Sequence, residues 1–135
     1  MIKESMLFLY FNGNCRQALT FYCDSFEAKL MEMITYGEAE MADGEEQKDL
    51  IMNSTLEIGG MKFCASDVVT DNVKEGNNLS VWLEFDEKSS FERAYSTCQE
   101  SNCNVISPQK ETFWNSIYAK IQDPFGIIWE LNYQK

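Results

Sequence analysis

A chain of 135 residues, 44% hydrophobic and 13% aromatic, is long enough for one domain with a true core and has the composition of a globular protein. Its formal net charge of −11, with no basic patch to offset it, argues against nucleic acid and anionic membrane surfaces as partners. No run of about 18 apolar residues exists to span a bilayer. The opening "MIKESMLFLYFNGN" has neither the long apolar region nor the cleavage site of a signal peptide, so the expected location is cytoplasmic.

In chain order, the apolar stretch "MLFLYF" (6–11) reads as a strand. A helix is predicted from Asn14 to Phe26, because Cys15, Ala18, Leu19 and Tyr22 fall at i, i+3, i+4 and i+7. Asn14 and Gln17 have the spacing of a capping box. "KLMEMITY" follows as a strand. The segment 37–49, "GEAEMADGEEQKD", carries six acids and one lysine and reads as a solvated loop or as a lid over a cleft. "STLEIGGMKFCASD" reads as a hairpin. The same order then returns. "LSVWLEF" is a strand, and Ser90–Ser101 is a helix with Phe91, Ala94, Tyr95 and Cys98 at the same spacing and Ser89 and Glu92 as its cap. "NVISP" is a strand, and "SIYAKIQDPFGIIWELN" is a hairpin. From Cys15 to Phe91 is 91 − 15 = 76 positions, and from Gly60 to Gly126 is 126 − 60 = 66. The first run therefore holds about ten extra residues between its helix and its hairpin, where the acidic segment lies.

Five cysteines, Cys15, Cys23, Cys64, Cys98 and Cys103, are an odd number and read as free packing thiols. Cys98 and Cys103 look loosely like half of a zinc site, but no second cysteine pair and no histidine completes it.

Three stretches, "YFNGNCRQALTFY", "LEIGGMKFCASD" and "ETFWNSIYAKIQDPFGIIWELN", together resemble the PhnB-like branch of the vicinal oxygen chelate superfamily, over nearly the whole chain and in order. That superfamily includes glyoxalase I, extradiol dioxygenases and bleomycin-resistance proteins. The resemblance implies an α+β fold. Two βαβββ modules, about residues 5–68 and 78–133, would form a cupped eight-stranded mixed sheet with helices on its outer face. They would make one domain, 1–135, usually found as a homodimer. Some members bear the label 3-demethylubiquinone methyltransferase. No glycine-rich loop between a strand and a helix is present here to hold a methyl-donor nucleoside.

Strand parity assigns faces in the second run. A plain two-residue turn over Pro124-Phe125 would pair Ala119 with Glu130 and put the acid on the core face. A type I turn with Pro124 second and a left-handed Gly126 adds a bulge and shifts the register by one. Asp-Pro-Phe-Gly suits that turn, so the bulged register is expected. Trp114, Ser116, Tyr118, Lys120, Glu130 and Asn132 then line one face. Ser80, Trp82 and Glu84 join them, while Leu79, Val81, Leu83 and Phe85 face the helix. Cys64 is the first-run counterpart of Glu130.

The resemblance places metal ligands of dependent relatives at Met6 or Leu7, Cys64, Ser80 and Glu130. Of these, only Glu130 is the usual hard oxygen ligand, too few for a catalytic divalent ion. No metal or other cofactor is therefore expected. Glu130 still needs a partner, because a buried, unpaired carboxylate is costly. Lys120 is the cation nearest by register, in a structural pair or in a binding site. Trp82, Trp114 and Tyr118 fit a stacking wall for a planar or apolar ligand, and equally fit core packing. The expected function is metal-free binding of a small organic molecule in the sheet cleft, with Glu130, Trp82, Trp114, Tyr118, Lys120, Asn132, Cys64 and Ser80 as its residues. The alternative is an enzyme, an isomerase, a lyase or a dioxygenase-like protein, using Glu130 as base or metal ligand.

Overall fold

A computed structural model describes residues 1–135. The same five-element run occurs twice. The first is β1 (Leu7–Phe11), α1 (Cys15–Phe26), β2 (Lys29–Thr35), β3 (Ile51–Ile58) and β4 (Met61–Asp67). The second is β5 (Val81–Phe85), α2 (Lys88–Glu100), β6 (Asn104–Glu111), β7 (Ser116–Gln122) and β8 (Ile128–Gln134). Each run makes one four-stranded mixed sheet, in the orders β1-β4-β3-β2 and β5-β8-β7-β6. In each, the first strand pairs parallel with the last and the remaining pairs are antiparallel. The chain divides into two compact units, Met1–Lys74 and Glu75–Lys135. The α+β class and the duplicated βαβββ order are as the sequence implies.

In the first unit α1 packs on β2, β3 and β4. Its stripe of Cys15, Ala18, Leu19 and Tyr22 is buried, as are Leu9, Phe11, Leu56 and Phe63 of the sheet. In the second unit α2 packs on β5 and β8. Phe91, Ala94 and Cys98 are fully covered, as are Ala119, Ile121, Trp129 and Leu131 of the sheet. Burying one fully exposed aliphatic or aromatic side chain is worth about 1.5–3 kcal/mol. One apolar helix stripe on one apolar sheet face is therefore the main stabilising contact of each unit.

The caps differ from expectation. Asn14 occupies the N-cap of α1 but makes no side-chain cap bond. Asp67, 52 residues away at the end of β4, accepts the Cys15 N–H at 2.9 Å through Oδ1 and the Ile51 N–H at 2.9 Å through Oδ2. A buried carboxylate is a stronger acceptor than a neutral amide, so the tertiary cap displaces the local one. The second helix starts at Lys88, two residues before the expected Ser90, with an extended Glu87 at its cap position and no side-chain cap bond.

Two further corrections concern strands. Leu79 precedes β5 and is 76% exposed, so it does not face α2 as parity alone implied. Strand β6 runs past "NVISP" to Glu111. Pro108 is tolerated because β6 is an edge strand, where a missing N–H breaks no ladder. Its register against β7 shifts twice, between Val105 and Ser107 and between Ser107 and Lys110. Segment 37–49 closes on itself. Tyr36 N–H donates to Leu50 O, Gly37 N–H to Lys48 O, and Asp43 N–H to the Gln47 side chain. It is a hydrogen-bonded excursion with a 3₁₀ turn at Glu45–Gln47.

The last hairpin has the bulged register. Lys120 lies opposite Glu130, Ala119 opposite Leu131 and Tyr118 opposite Asn132. Gly126 has φ 103°, its N–H donates to Asp123 O at 3.1 Å, and Asp123 N–H donates to Ile127 O at 2.8 Å. Asp123 locks this turn. Its Oδ1 accepts from the N–H of Phe125 and of Ile127, and its Oδ2 from the indole of buried Trp129.

Candidate functional site

The β6–β7 turn repeats that geometry with different residues. Asn115 N–H donates to Thr112 O, and Asn115 takes the left-handed conformation, φ 62°, that Gly126 takes in the other hairpin. Asparagine is one of the few non-glycine residues at ease there. Thr112 Oγ1 accepts the Ser116 N–H at 3.1 Å. The turn carries Phe113 and Trp114 at its two central positions, and Phe113 packs edge-on against Trp114 with centroids 5.0 Å apart.

Trp114 is held in place from β8. Its indole N–H donates to Asn132 Oδ1 at 3.2 Å. Asn132 is 1% exposed, and its amide also donates to both Glu84 oxygens at 3.0 Å and to Ser116 Oγ at 3.2 Å. Every polar atom of Asn132 is committed within the protein, so its part is to position Trp114. Trp82, on β5, donates its indole N–H to Glu84 Oε1 at 3.1 Å. The Tyr118 ring lies between the two indoles, 5.9 Å from Trp82 and 5.8 Å from Trp114.

Glu130 stands among these rings. Parallel pairing of β5 with β8 sets Trp82 opposite it in register. Ser80 Oγ donates to Oε2 at 2.6 Å and Tyr118 Oη donates to Oε1 at 2.6 Å. The expected direct pair with Lys120 is thus replaced by two hydroxyl donors. Lys120 is opposite Glu130 in the ladder and acts through its charge alone. Burial by itself would raise the Glu130 pKa. The bonds from Ser80 and Tyr118, and last the Lys120 charge, outweigh it and hold the carboxyl below its ordinary range. Burial, then the bond to Glu130 and its charge, push the Tyr118 phenol upward, so it stays a donor at neutral pH.

Together these residues border an open cavity of about 400 Å³ in the second unit, lined by Trp82, Lys110, Glu111, Thr112, Phe113, Trp114, Tyr118 and Glu130. Four residues expected from the sequence meet there: Trp82, Trp114, Tyr118 and Glu130. Ser80, Lys120 and Asn132 support them from outside the lining. Sequence reasoning missed Lys110, Glu111, Thr112 and Phe113. The bulges of β6 broke the period-two pattern that would have carried the strand to them. The Thr-Phe-Trp-Asn turn was the available signal, since it has the same left-handed fourth position as Asp-Pro-Phe-Gly.

Cys64 belongs to the first unit. It is buried and donates through Sγ to Met6 Sδ at 3.2 Å. Each unit thus joins its own two positions of the ligand set implied by the resemblance, Met6 with Cys64 and Ser80 with Glu130. Two soft sulfur atoms, a hydroxyl and one carboxylate do not make the oxygen- or nitrogen-rich set of a catalytic divalent ion. No group of three or more Cys, Asp or Glu side chains is arranged to hold a metal.

Residues 7–131 match the family model described as the glyoxalase/bleomycin resistance protein/dioxygenase superfamily. The chain is 22% identical over 138 aligned positions to Protein YjdN of Escherichia coli (strain K12), covering 95% of this chain and 93% of that protein. Among solved structures it is similar to protein PA1353 of Pseudomonas aeruginosa, with a TM-score of 0.84 and 28% identity over 98% of both chains. It is also similar to a PhnB protein of Bacillus cereus whose name includes 3-demethylubiquinone-9 3-methyltransferase, with a TM-score of 0.82 and 17% identity over 97% of this chain and 99% of that one. At that identity the second likeness speaks to the fold alone. The family-model match covers both βαβββ runs, and the chain belongs to the glyoxalase/bleomycin resistance protein/dioxygenase superfamily.

Proposed function

We propose that residues 1–135 act as one domain that binds a small organic molecule without a metal, in the cavity of the second unit. The observation that carries this reading is the wall of Trp82, Tyr118 and Trp114 around Glu130, with the rings oriented by hydrogen bonds to Glu84, Glu130 and Asn132. Concave, mostly aromatic sites with a few fixed polar groups are the usual form of small-molecule sites. A catalytic role for Glu130 is the weaker reading. A general base works best with a pKa near the operating pH, whereas Glu130 is held below the ordinary carboxylate range. Methyl transfer has no residue-level support here.

The domain acts as a homodimer in the cytoplasm in this reading. Phe8 and Tyr10 are stacked and about half exposed on β1, and Leu30, Met31 and Met33 lie open on edge strand β2. Such an apolar edge is normally covered. Five unbridged thiols suit a reducing compartment.

Native mass spectrometry of protein purified without added metal tests the binding reading. The expected spectrum has an organic adduct that is lost in Trp82→Leu, and no stoichiometric divalent ion. Thermal melts with zinc, nickel or manganese should show no specific upshift, although a native-state ligand at a hundredfold excess over its Kd adds about 2.7 kcal/mol. A saturable upshift with one ion, abolished in Glu130→Ala, would overturn metal-free binding.

A further inference from the structure

We infer that the cavity of the second unit selects an organic cation, an alkylated ammonium group held between the aromatic faces and Glu130. The inference rests on the reading that this cavity binds a small molecule, and it names the chemistry of that molecule.

Geometry carries the argument. Three electron-rich rings, Trp82, Tyr118 and Trp114, follow one another at centroid spacings of 5.9 and 5.8 Å around one carboxylate. Their planes differ, tilted by 30° at one junction and 73° at the next, so they form a bent wall instead of a slot for a flat stacked ring. A cation within about 6 Å of several ring faces is attracted by each ring quadrupole, and Trp is the best of the three ring types. Both indoles remain accessible, Trp82 at 48% and Trp114 at 39%.

Glu130 supplies the countercharge. Each of its oxygens takes one hydroxyl hydrogen bond. An ionised carboxylate has about four acceptor sites, so sites remain for a ligand N–H or for direct charge contact. Ser80 and Tyr118 hold it in one orientation, which lowers the entropy lost on binding.

The other charges in the lining are Lys110 and Glu111. Glu111 is paired with Lys135 beside the cavity. Lys110, exposed on the edge strand, is the one cation of the lining. The net charge of −11 adds a field that draws cations toward the protein and repels anions.

The test compares probes of equal shape and different charge. Choline and its neutral isostere 3,3-dimethylbutan-1-ol are titrated by calorimetry and tryptophan fluorescence, with benzoate as the anion. Choline is expected to bind at least tenfold more tightly than the isostere, and benzoate not at all. The preference should fall to about twofold or less in Glu130→Gln and in Trp82→Leu, and survive in Lys110→Ala. Trp82 is half-exposed, so its variant should fold, as circular dichroism would verify. Equal binding of choline and isostere overturns charge selection and leaves small-molecule binding standing. Benzoate binding lost in Lys110→Ala overturns it in favour of an anion. Silence from all probes also overturns it. In that case an organic adduct in native mass spectrometry spares the proposed function, and an empty spectrum removes both.

Discussion

Glu130 shows how one side chain sets the chemistry of its surroundings. Two hydroxyls donate to it at 2.6 Å, and its folded pKa lies below the ordinary value. A carboxyl with a depressed folded pKa contributes stability that is full above its unfolded pKa, about 4.3, and is lost as pH falls through the folded value. Wild type should therefore exceed Glu130→Gln in urea midpoint at neutral pH, and the gap should close as pH falls below the unfolded value. A gap constant across that range would mean that the ionised form is not the favoured one. The effect should be small, because the site is open to solvent and screening is strong. The hydroxyl partners could not be read from the sequence. Lys120 is the nearest charge by register, but Tyr118 lies diagonally across the same face and Ser80 precedes β5. Distances there depend on rotamers and on strand twist.

At the element scale the two turns of the second unit do the positioning. Asp-Pro-Phe-Gly sets the register that aims Glu130 away from the helix face, and Thr-Phe-Trp-Asn brings Trp114 to the cavity. Gly126 is the weak point. Its φ of 103° disfavours any side chain, and a Cβ there would lie 2.6 Å from Glu75 Cγ. Gly126→Val should cost about 1–3 kcal/mol from the backbone conformation alone, more for a β-branched residue, read as a lower guanidinium midpoint. An unchanged midpoint would show that the turn relaxes without the left-handed residue. The bulge was legible because proline and glycine dictate backbone angles locally. The caps were not. Asp67 reaches Cys15 from 52 residues away, and a local capping pattern cannot anticipate an acceptor delivered by another strand.

For the molecule as a whole, exposed apolar residues on the two opposite edge strands of the first sheet, β1 and β2, underlie the proposed dimer. Phe8, Tyr10, Leu30, Met31 and Met33 are each more than a third exposed. Sedimentation at micromolar concentration should give twice the 15.6 kDa chain mass, and charge placed there, as in Tyr10→Glu with Met31→Lys, should shift it to the monomer. A monomer in the wild type would leave both edges without a partner and remove the dimer from the proposal.

By itself the sequence determined the repeated strand, helix, strand, strand, strand order, the helix stripes and the bulged hairpin, while the α+β class came from its resemblance to a known family. The elements read from residues rest on short-range periodicity or on backbone preferences carried by a few adjacent residues. Tertiary structure alone decided which groups touch Glu130, which carboxylate caps α1, and that the bulged edge strand β6 adds Lys110, Glu111, Thr112 and Phe113 to the cavity. Such choices depend on distances between chain segments far apart in sequence. A hydrogen bond reports on a few tenths of an ångström, and no residue pattern carries that information.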